Sequence, residues 1–459
     1  MGKEVYERMY DVIVAGAGVS GCAAAVSAGR AGASVLVIEK NGYPGGTLTG
    51  CGVGPMMTFH AGDKQIICGF MQETVDRLME KGYSPGHVPD TKQYTDTITP
   101  FRAEGLKTVL DEMLVESGCK VLLHTFVGAV EREGEKIKGL TLCNKDGLNK
   151  AWAKVFIDAT GDGDVAAWAG LPMTNGRPED GASQPMTMKM KYCNVSTQKL
   201  KEHVLTHLDE FPKLKPHEKL FKEDIPIDLE GFDGEVAQAK ARGELSMARE
   251  NILMFATDRE GEYIINTTRV IGYDATDASG LSEAEMAGRR QCAELDRFLR
   301  KYVPGFENAL LEFTGPSIGV RSSRQLRGVY TLTAGDILSC KPFDSAVAHS
   351  GYPIDIHNPS GEGAEAIFLT ERGDYYSIPF EIMVCPEASN LIVTGRCVSA
   401  TFEAQAAIRV TPSAGALGQA AGTAAFLAAR KDGDVRKTEL AALREALLRQ
   451  GAYLDLARA

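Results

Sequence analysis

The sequence predicts an α/β fold: a parallel sheet, a small antiparallel meander beside it, and an inserted α+β region of different composition. Three observations lead there. Residues 11–40, DVIVAGAGVSGCAAAVSAGRAGASVLVIEK, run from an apolar strand through a glycine turn and a small-residue helix to a second apolar strand, residues 35–38. A later strand ends in the small residues Ala159, Thr160 and Gly161. Between residues 172 and 384 charge and aromatic content rise, and small-residue segments resume after that.

In the first unit Gly16 allows the tight turn, Gly18 lets a pyrophosphate approach the backbone, and Gly21 lets the helix pack closely on the strand. The helix N-terminus then faces the phosphate charge. Glu39, followed by Lys40, stands where a carboxylate would hold the ribose hydroxyls of an adenosine. Strand, turn, helix and acidic residue together make a Rossmann-like dinucleotide site, a stronger signal than three glycines alone.

Composition excludes several classes. The chain has 459 residues, which at ~100–200 residues per domain argues for two intertwined domains. Lys plus Arg total 50 against 61 Asp plus Glu, a net charge of -11 with no long basic run, so no nucleic-acid partner is expected. The opening MGKEVYERMY lacks the apolar core of a signal peptide, and no apolar run nears the roughly 20 residues that span a bilayer. A cytoplasmic protein with no membrane partner is expected, and a homo-oligomer is compatible with these features. The ten cysteines never form a CxxC pair, which argues against a metal ribbon, a cluster or a disulfide framework.

Residues 41–55 hold six glycines and two prolines and read as an irregular loop beside the phosphate site. Gly45 and Gly46 offer backbone N–H groups to a phosphate or ribityl chain, and Thr47 and Thr49 offer hydroxyls. Cys51 reads as a packing or flavin-lining residue and not as a catalytic thiol. Helices are expected over 66–82 and 101–117, a buried strand over 121–126, and the meander over 130–132, 137–143 and 153–157. His203 and His207 are one helical turn apart but lack a third ligand, and residues 223–235 lack the ligand pattern of a calcium loop and read as a surface loop. No metal site is expected.

Arg321, Arg324 and Arg327 recur every third residue, too often for one strand face, and suit forked contacts to carboxylate or phosphate. Pairing with Asp336 or Asp344 is the plain structural reading of each. Tyr352, Asp355 and His357 are candidate proton-transfer groups, and His357 has an ordinary pKa near neutrality. A strand, 390–394, runs into Gly395 and Arg396, and Pro412 and Ser413 open a small-residue helix.

The GAGVSG turn, the GGTLT loop, the ATGDGD strand end, VRSSRQLRGVYTLT, YPIDIH and the closing GR…IRVTPSAGALGQAAGTAA follow one another across nearly the whole chain. In this order they resemble the FAD-dependent oxidoreductase family of the glutathione-reductase-type flavoprotein superfamily, distant kin of the succinate dehydrogenase and fumarate reductase flavoproteins. The resemblance implies noncovalent FAD and an FAD domain in two parts, 1–171 with a helical insertion at 60–100, and 385–459. A substrate domain, 172–384, would close over the flavin. It further implies that backbone at Val127 meets the adenine, that Gly395 and Arg396 meet the ribityl region, and that the helix opened at Pro412 and Ser413 faces the flavin N1/C2 edge. Arg409, shortly before that helix, would bind a substrate carboxylate, with Arg321 beside it. The implied activity is hydride transfer between flavin N5 and a small polar, anionic substrate, with an electron donor or acceptor still to be named. A flavin monooxygenase, or a noncatalytic flavoprotein subunit for electron transfer, is the alternative.

Overall fold

A computed structural model describes residues 4–223 and 226–455 of the chain. The first residues of the N-terminal stretch and residues 224–225 of the acidic segment lie outside the described residues.

Five parallel strands form the central sheet, in the order Lys120–Leu122, Val35–Ile38, Met9–Ala15, Gly147–Asp158 and Leu391–Val393. Val12, Ile13 and Val14 are buried on both faces, as a parallel sheet covered by other layers requires. The strand Gly147–Asp158 belongs to two systems. Its first half pairs antiparallel with Lys136–Asn144, which pairs with Phe126–Glu133, and its second half joins the parallel sheet. The expected meander is present, but its third strand is residues 147–151, and the expected 153–157 belongs to the parallel sheet instead.

The expected strand over 121–126 is split. It ends at Leu122, and His124 takes a positive φ of 50° that turns the chain away before Phe126 opens the next strand. The loop 41–55 also departs from expectation, because Thr47–Gly50 winds into one helical turn. Between residues 60 and 100 the chain holds one helix, Phe70–Glu80, and two short hairpins.

The first helix, Val19–Arg30, packs against the long C-terminal helix Thr411–Ala429 almost backbone to backbone. A methyl built on Gly418 would lie 2.0 Å from the Ser20 carbonyl oxygen, and one on Gly422 would lie 2.0 Å from that of Ala24. Only glycine fits at either point.

The middle of the chain builds a second sheet, antiparallel throughout, in the order Asp228–Gly231, Ile252–Ala256, Tyr263–Ile265, Met190–Cys193 and Leu310–Thr314. The helix Ala278–Tyr302 packs on it through Leu295, Phe298 and Leu299, and this apolar cluster is separate from the one under the parallel sheet. Part of the acidic segment thus proves to be structural: Asp228 is fully buried on a strand, not in a surface loop. No helix among the described residues is long and apolar enough to cross a membrane.

Candidate functional site

The strand Met9–Ala15 ends at Gly16, whose φ of 97° and whose distance to Ala159 exclude a side chain: a methyl there would lie 2.4 Å from the Ala159 carbonyl oxygen. Gly21 is equally confined, with a methyl 1.8 Å from the Gly16 oxygen. Gly18 differs. Its φ of -63° suits any residue, and a methyl on it would meet only the Gly46 Cα, at 3.8 Å. Of the three glycines it is the one that leaves open space, at the N-cap of the first helix, and that space fits a diphosphate.

The second glycine turn closes on the first. Gly45 donates its N–H to the Ala17 carbonyl at 2.8 Å, and Thr47 opens the one-turn helix beyond Gly46. Thr49 donates its hydroxyl to the Pro44 carbonyl at 2.6 Å, so that hydroxyl serves the loop itself. Glu39 is buried, with one carboxylate oxygen accepting the Ala17 N–H at 2.7 Å and the other accepting the Asn41 N–H at 2.8 Å. Its carbonyl accepts the Thr125 N–H at 2.9 Å, which draws the start of Phe126–Glu133, and Val127, alongside. Lys40 is exposed and makes no hydrogen bond among the described residues.

At the end of Gly147–Asp158 a buried aspartate, missed in the sequence, shapes the third loop. Asp158 accepts the Thr160 N–H and hydroxyl at 3.1 and 2.7 Å with one oxygen, and the Ala166 N–H at 2.9 Å with the other. Ala159 donates to the Ala15 carbonyl at 2.8 Å, so the two strand ends are locked together. The guanidinium of Arg396 is committed to protein: it reaches the Gly161 carbonyl at 3.0 Å, the Val320 carbonyl at 2.7 Å and Asp162 at 2.9 Å. The expected contact of Arg396 with a ribityl chain is thereby restricted to backbone, where Gly395 has a φ of 82°. Ser413, in the first turn of the C-terminal helix, is buried and donates to the Ser350 hydroxyl at 3.0 Å.

A second group of residues gathers around Asp355. Arg409 Nη2 lies 3.2 Å from its carboxylate, His357 Nε2 lies 3.4 Å from the same oxygen, and Tyr352 donates its hydroxyl to that oxygen at 3.4 Å. Arg269 Nη2 lies 3.5 Å from His357 Nδ1. Arg321 donates to the Pro185 carbonyl at 2.6 Å, and its own carbonyl accepts from Gln405 at 3.0 Å. All four predicted catalytic candidates, His357, Arg409, Arg321 and Tyr352, are thus in one cluster. Arg324 is not: it pairs with Asp164, while Asp336 pairs with Lys341 and caps its own helix.

Electrostatics change the reading of His357. It is not on a loop with a pKa near neutrality but ends the strand Ile354–His357, buried, and burial together with Arg321 lowers its pKa to about 3. The imidazole is neutral at pH 7. Burial alone would raise the Asp355 carboxyl, but His357, Arg409 and Arg321 overcome it and hold the group below the usual carboxylate range. Burial and Arg409 bring Arg321 down to about 9, still protonated at neutrality. Arg409 keeps one polar atom, Nε, buried without a partner, and the Tyr94 hydroxyl is likewise buried without a well-formed hydrogen bond.

Sequence reasoning missed Gln184, Lys189 and Arg269. Gln184 accepts the His357 N–H at 3.3 Å, and Lys189 is buried beside Arg321 and Arg409. A signal existed in residues 186–192, MTMKMKY, where methionines alternate with polar residues at the period of a strand. Cys51 is buried, donates its thiol to the Ile318 carbonyl at 3.4 Å, and is pushed up by burial. The His203 and His207 rings lie 4.4 Å apart, and His203 stacks near Phe232. Among the described residues no group of three or more His, Cys, Asp or Glu side chains could hold a metal ion.

Comparison with known proteins gives the class. A search of curated proteins finds no match. Among solved structures, a geranylgeranyl bacteriochlorophyll reductase-like protein from Thermoplasma acidophilum is similar over 97% of this chain and 84% of its own, at 13% identity and a TM-score of 0.50. That likeness speaks to the fold. The p-nitrophenol 4-monooxygenase of Pseudomonas putida aligns over 96% of this chain and 84% of its own at 12% identity, with a TM-score of 0.47. The model of the family described as FAD dependent oxidoreductase matches residues 11–447. FAD is therefore its cofactor, and the chain belongs to the FAD-dependent oxidoreductase family.

Proposed function

We propose that this protein transfers a hydride between FAD and a small polar, anionic substrate held by Arg409 and Arg321. The observation that carries the reading is the cluster around Asp355. Four buried guanidiniums, those of Arg249, Arg269, Arg321 and Arg409, gather about the Asp355 carboxylate, Arg249 also reaching Glu230 at 3.7 Å, and Arg409 Nε still lacks a partner. Buried cations in excess of anions favour an anionic ligand, and a forked guanidinium suits a carboxylate.

FAD, when bound, supplies the two-electron chemistry. The residues of the chain supply the rest. Gly16, Gly18 and Gly21 with Gly45, Gly46 and Thr47 hold the diphosphate, Glu39 the adenosine ribose, and backbone at Val127, Ala159, Thr160, Gly161 and Gly395 the remaining length. Residues 41–50 contain neither histidine nor cysteine, which supports noncovalent attachment. Asp355 orients Arg409, while neutral His357 bridges Asp355 and Arg269 and keeps the cluster assembled. Kinship with the succinate dehydrogenase and fumarate reductase flavoproteins is part of this reading, supported by the order of the motifs and by the place of Arg409 before the last long helix.

The test is anaerobic bleaching of the bound flavin with small hydroxy acids, unsaturated acids and neutral sugars. Bleaching, or reoxidation of reduced flavin, by acids alone is expected. Bleaching by neutral sugars alone would overturn the anionic reading, and NADPH-driven oxygen uptake with a hydroxylated product would replace it by a monooxygenase.

A further inference from the structure

Lys189 has no role in the reading above, and its surroundings are unusual. In residues 186–192 the side chains alternate: Met186, Met188, Met190 and Tyr192 are buried in the second apolar cluster, and Thr187, Lys189 and Lys191 point the other way. Each of those three meets a different environment. Thr187 accepts from the Arg321 guanidinium at 2.5 Å. Lys191 pairs with Glu262 at 2.9 Å and with Glu312 at 3.0 Å. Lys189 lies between them, 7% exposed, and forms no ion pair or hydrogen bond through its amine among the described residues.

The groups facing Lys189 are the Arg321 and Arg409 guanidiniums and the Cys51 thiol. Gly52 runs alongside, where a methyl would touch the Lys189 Cβ at 3.6 Å, and the lysine carbonyl is fixed by the Gly315 N–H at 2.8 Å. Asp355, the carboxylate that acts on both Arg321 and Arg409, is engaged by Arg409 and His357. The amine is thus buried beside two cations with no anion of its own.

We propose that Lys189 is the third member of the anion subsite formed with Arg321 and Arg409, and that it takes up a proton as a polycarboxylate anion enters. This rests on the reading of the cluster as an anion site. Without an anion, burial and the two guanidiniums disfavour the ammonium form, and the amine is pushed down to about 7. An anion between the three groups reverses that balance, so the N–H bond forms on the lysine lone pair with a proton drawn from solvent. Arg321 already carries its proton at this pH, and His357 is the one competing acceptor.

The experiment is calorimetric titration of the FAD-loaded protein with malonate at pH 8, repeated in HEPES and in Tris, whose protonation enthalpies differ. About one proton taken up per malonate bound is expected, because an amine with a pKa near 7 is largely neutral there. Lys189→Arg should bind malonate without uptake, and Lys189→Met should bind it at least tenfold more weakly without uptake. Whatever His357→Asn does to the affinity by loosening the cluster, the uptake per malonate bound should stay at about one proton. Uptake that survives in Lys189→Arg, or that disappears in His357→Asn, would overturn the assignment to Lys189. Binding without any uptake in the parent protein would do the same while leaving the anion site intact. Failure of malonate, oxalate and citrate to bind at all would instead bring down the anion site itself. Lys189→Arg keeps a cation of similar length, so the test survives if the methionine variant does not fold.

Discussion

Gly18 and Gly46 face each other through their backbones: a methyl built on Gly46 would sit 2.9 Å from the Gly18 Cα, whereas one on Gly18 would lie 3.8 Å from the Gly46 Cα. The two turns are close enough to act as one cradle, yet Gly18 keeps its outer side open. That asymmetry separates the glycines confined by close backbone contacts from the one that leaves open space beside it.

Gly18→Val is expected to fold and to lose FAD, because its side chain enters the open side and its backbone suits any residue. Gly21→Ala, with its methyl 1.8 Å from the Gly16 oxygen, is expected to lose more than about 3 kcal/mol of stability, at the upper end of overpacking costs. Flavin released per polypeptide and urea midpoints report the two effects separately. The released flavin of the parent protein should be FAD and not FMN. A Gly18→Val protein with full FAD content would contradict the cradle.

Cys51→Ser should bind FAD normally and keep turnover within a few-fold of the parent. The thiol is buried, donates to the Ile318 carbonyl and is pushed up by burial, so it is not poised as a thiolate. Loss of flavin reduction with FAD still bound would show a redox thiol there.

Arg409→Lys should retain FAD and slow substrate-dependent bleaching by roughly a hundredfold, with weaker substrate binding, since lysine reproduces a forked contact poorly. Asp355→Asn should act through Arg409 and also through stability, because it leaves the buried guanidiniums around it without their shared carboxylate; a loss of about 3–5 kcal/mol is expected. Single-turnover reduction over a range of substrate concentrations separates binding from rate. An Arg409→Lys protein with parental binding would remove this residue from the anion site.

His357 carries a pH signature. Its folded pKa is lowered to about 3 from an unfolded value near 6.5, so between those values the unfolded chain holds more protons. Stability should therefore fall as the pH drops from 6.5 toward 3, by at most about 1.4 kcal/mol per unit from this group. His357→Gln should flatten that slope in urea midpoints at pH 7, 6 and 5. Asp355 does not mask the effect there, since its carboxyl is held below the usual carboxylate range. Identical slopes in variant and parent would mean that the imidazole is not held neutral.

The glycine turn was legible in the sequence because its physics is local. Gly16, Gly21 and Glu39 are fixed by contacts within one strand–helix–strand unit and its immediate neighbours, and few residue types satisfy them. The cluster at Asp355 was legible only in part. Arg409, Tyr352 and His357 can be singled out by type, but the neutrality of the imidazole depends on Arg321 and on burial, which no local pattern encodes. Arg269, 88 positions before His357, and Lys189 lie outside any strand, next to strands of the second sheet, far from His357 in sequence. The break at Leu122 escaped because residues 121–126 are apolar enough for a strand, and only the positive φ at His124 shows the turn.

The contact of Gly418 and Gly422 with the first helix also bears on how the protein is made. The strand–turn–helix unit is synthesised well before the helix that covers it, since the face carrying Ser20 and Ala24 is closed by residues nearly 400 positions later. At ordinary elongation rates the nascent helix waits on the order of tens of seconds with this face uncovered. The middle region, whose apolar cluster runs from Met186 to Ile318, has all its parts before then. Assembly during synthesis should therefore run from the centre of the chain outward, and a chain truncated before Thr411 should carry no flavin however well its middle has folded.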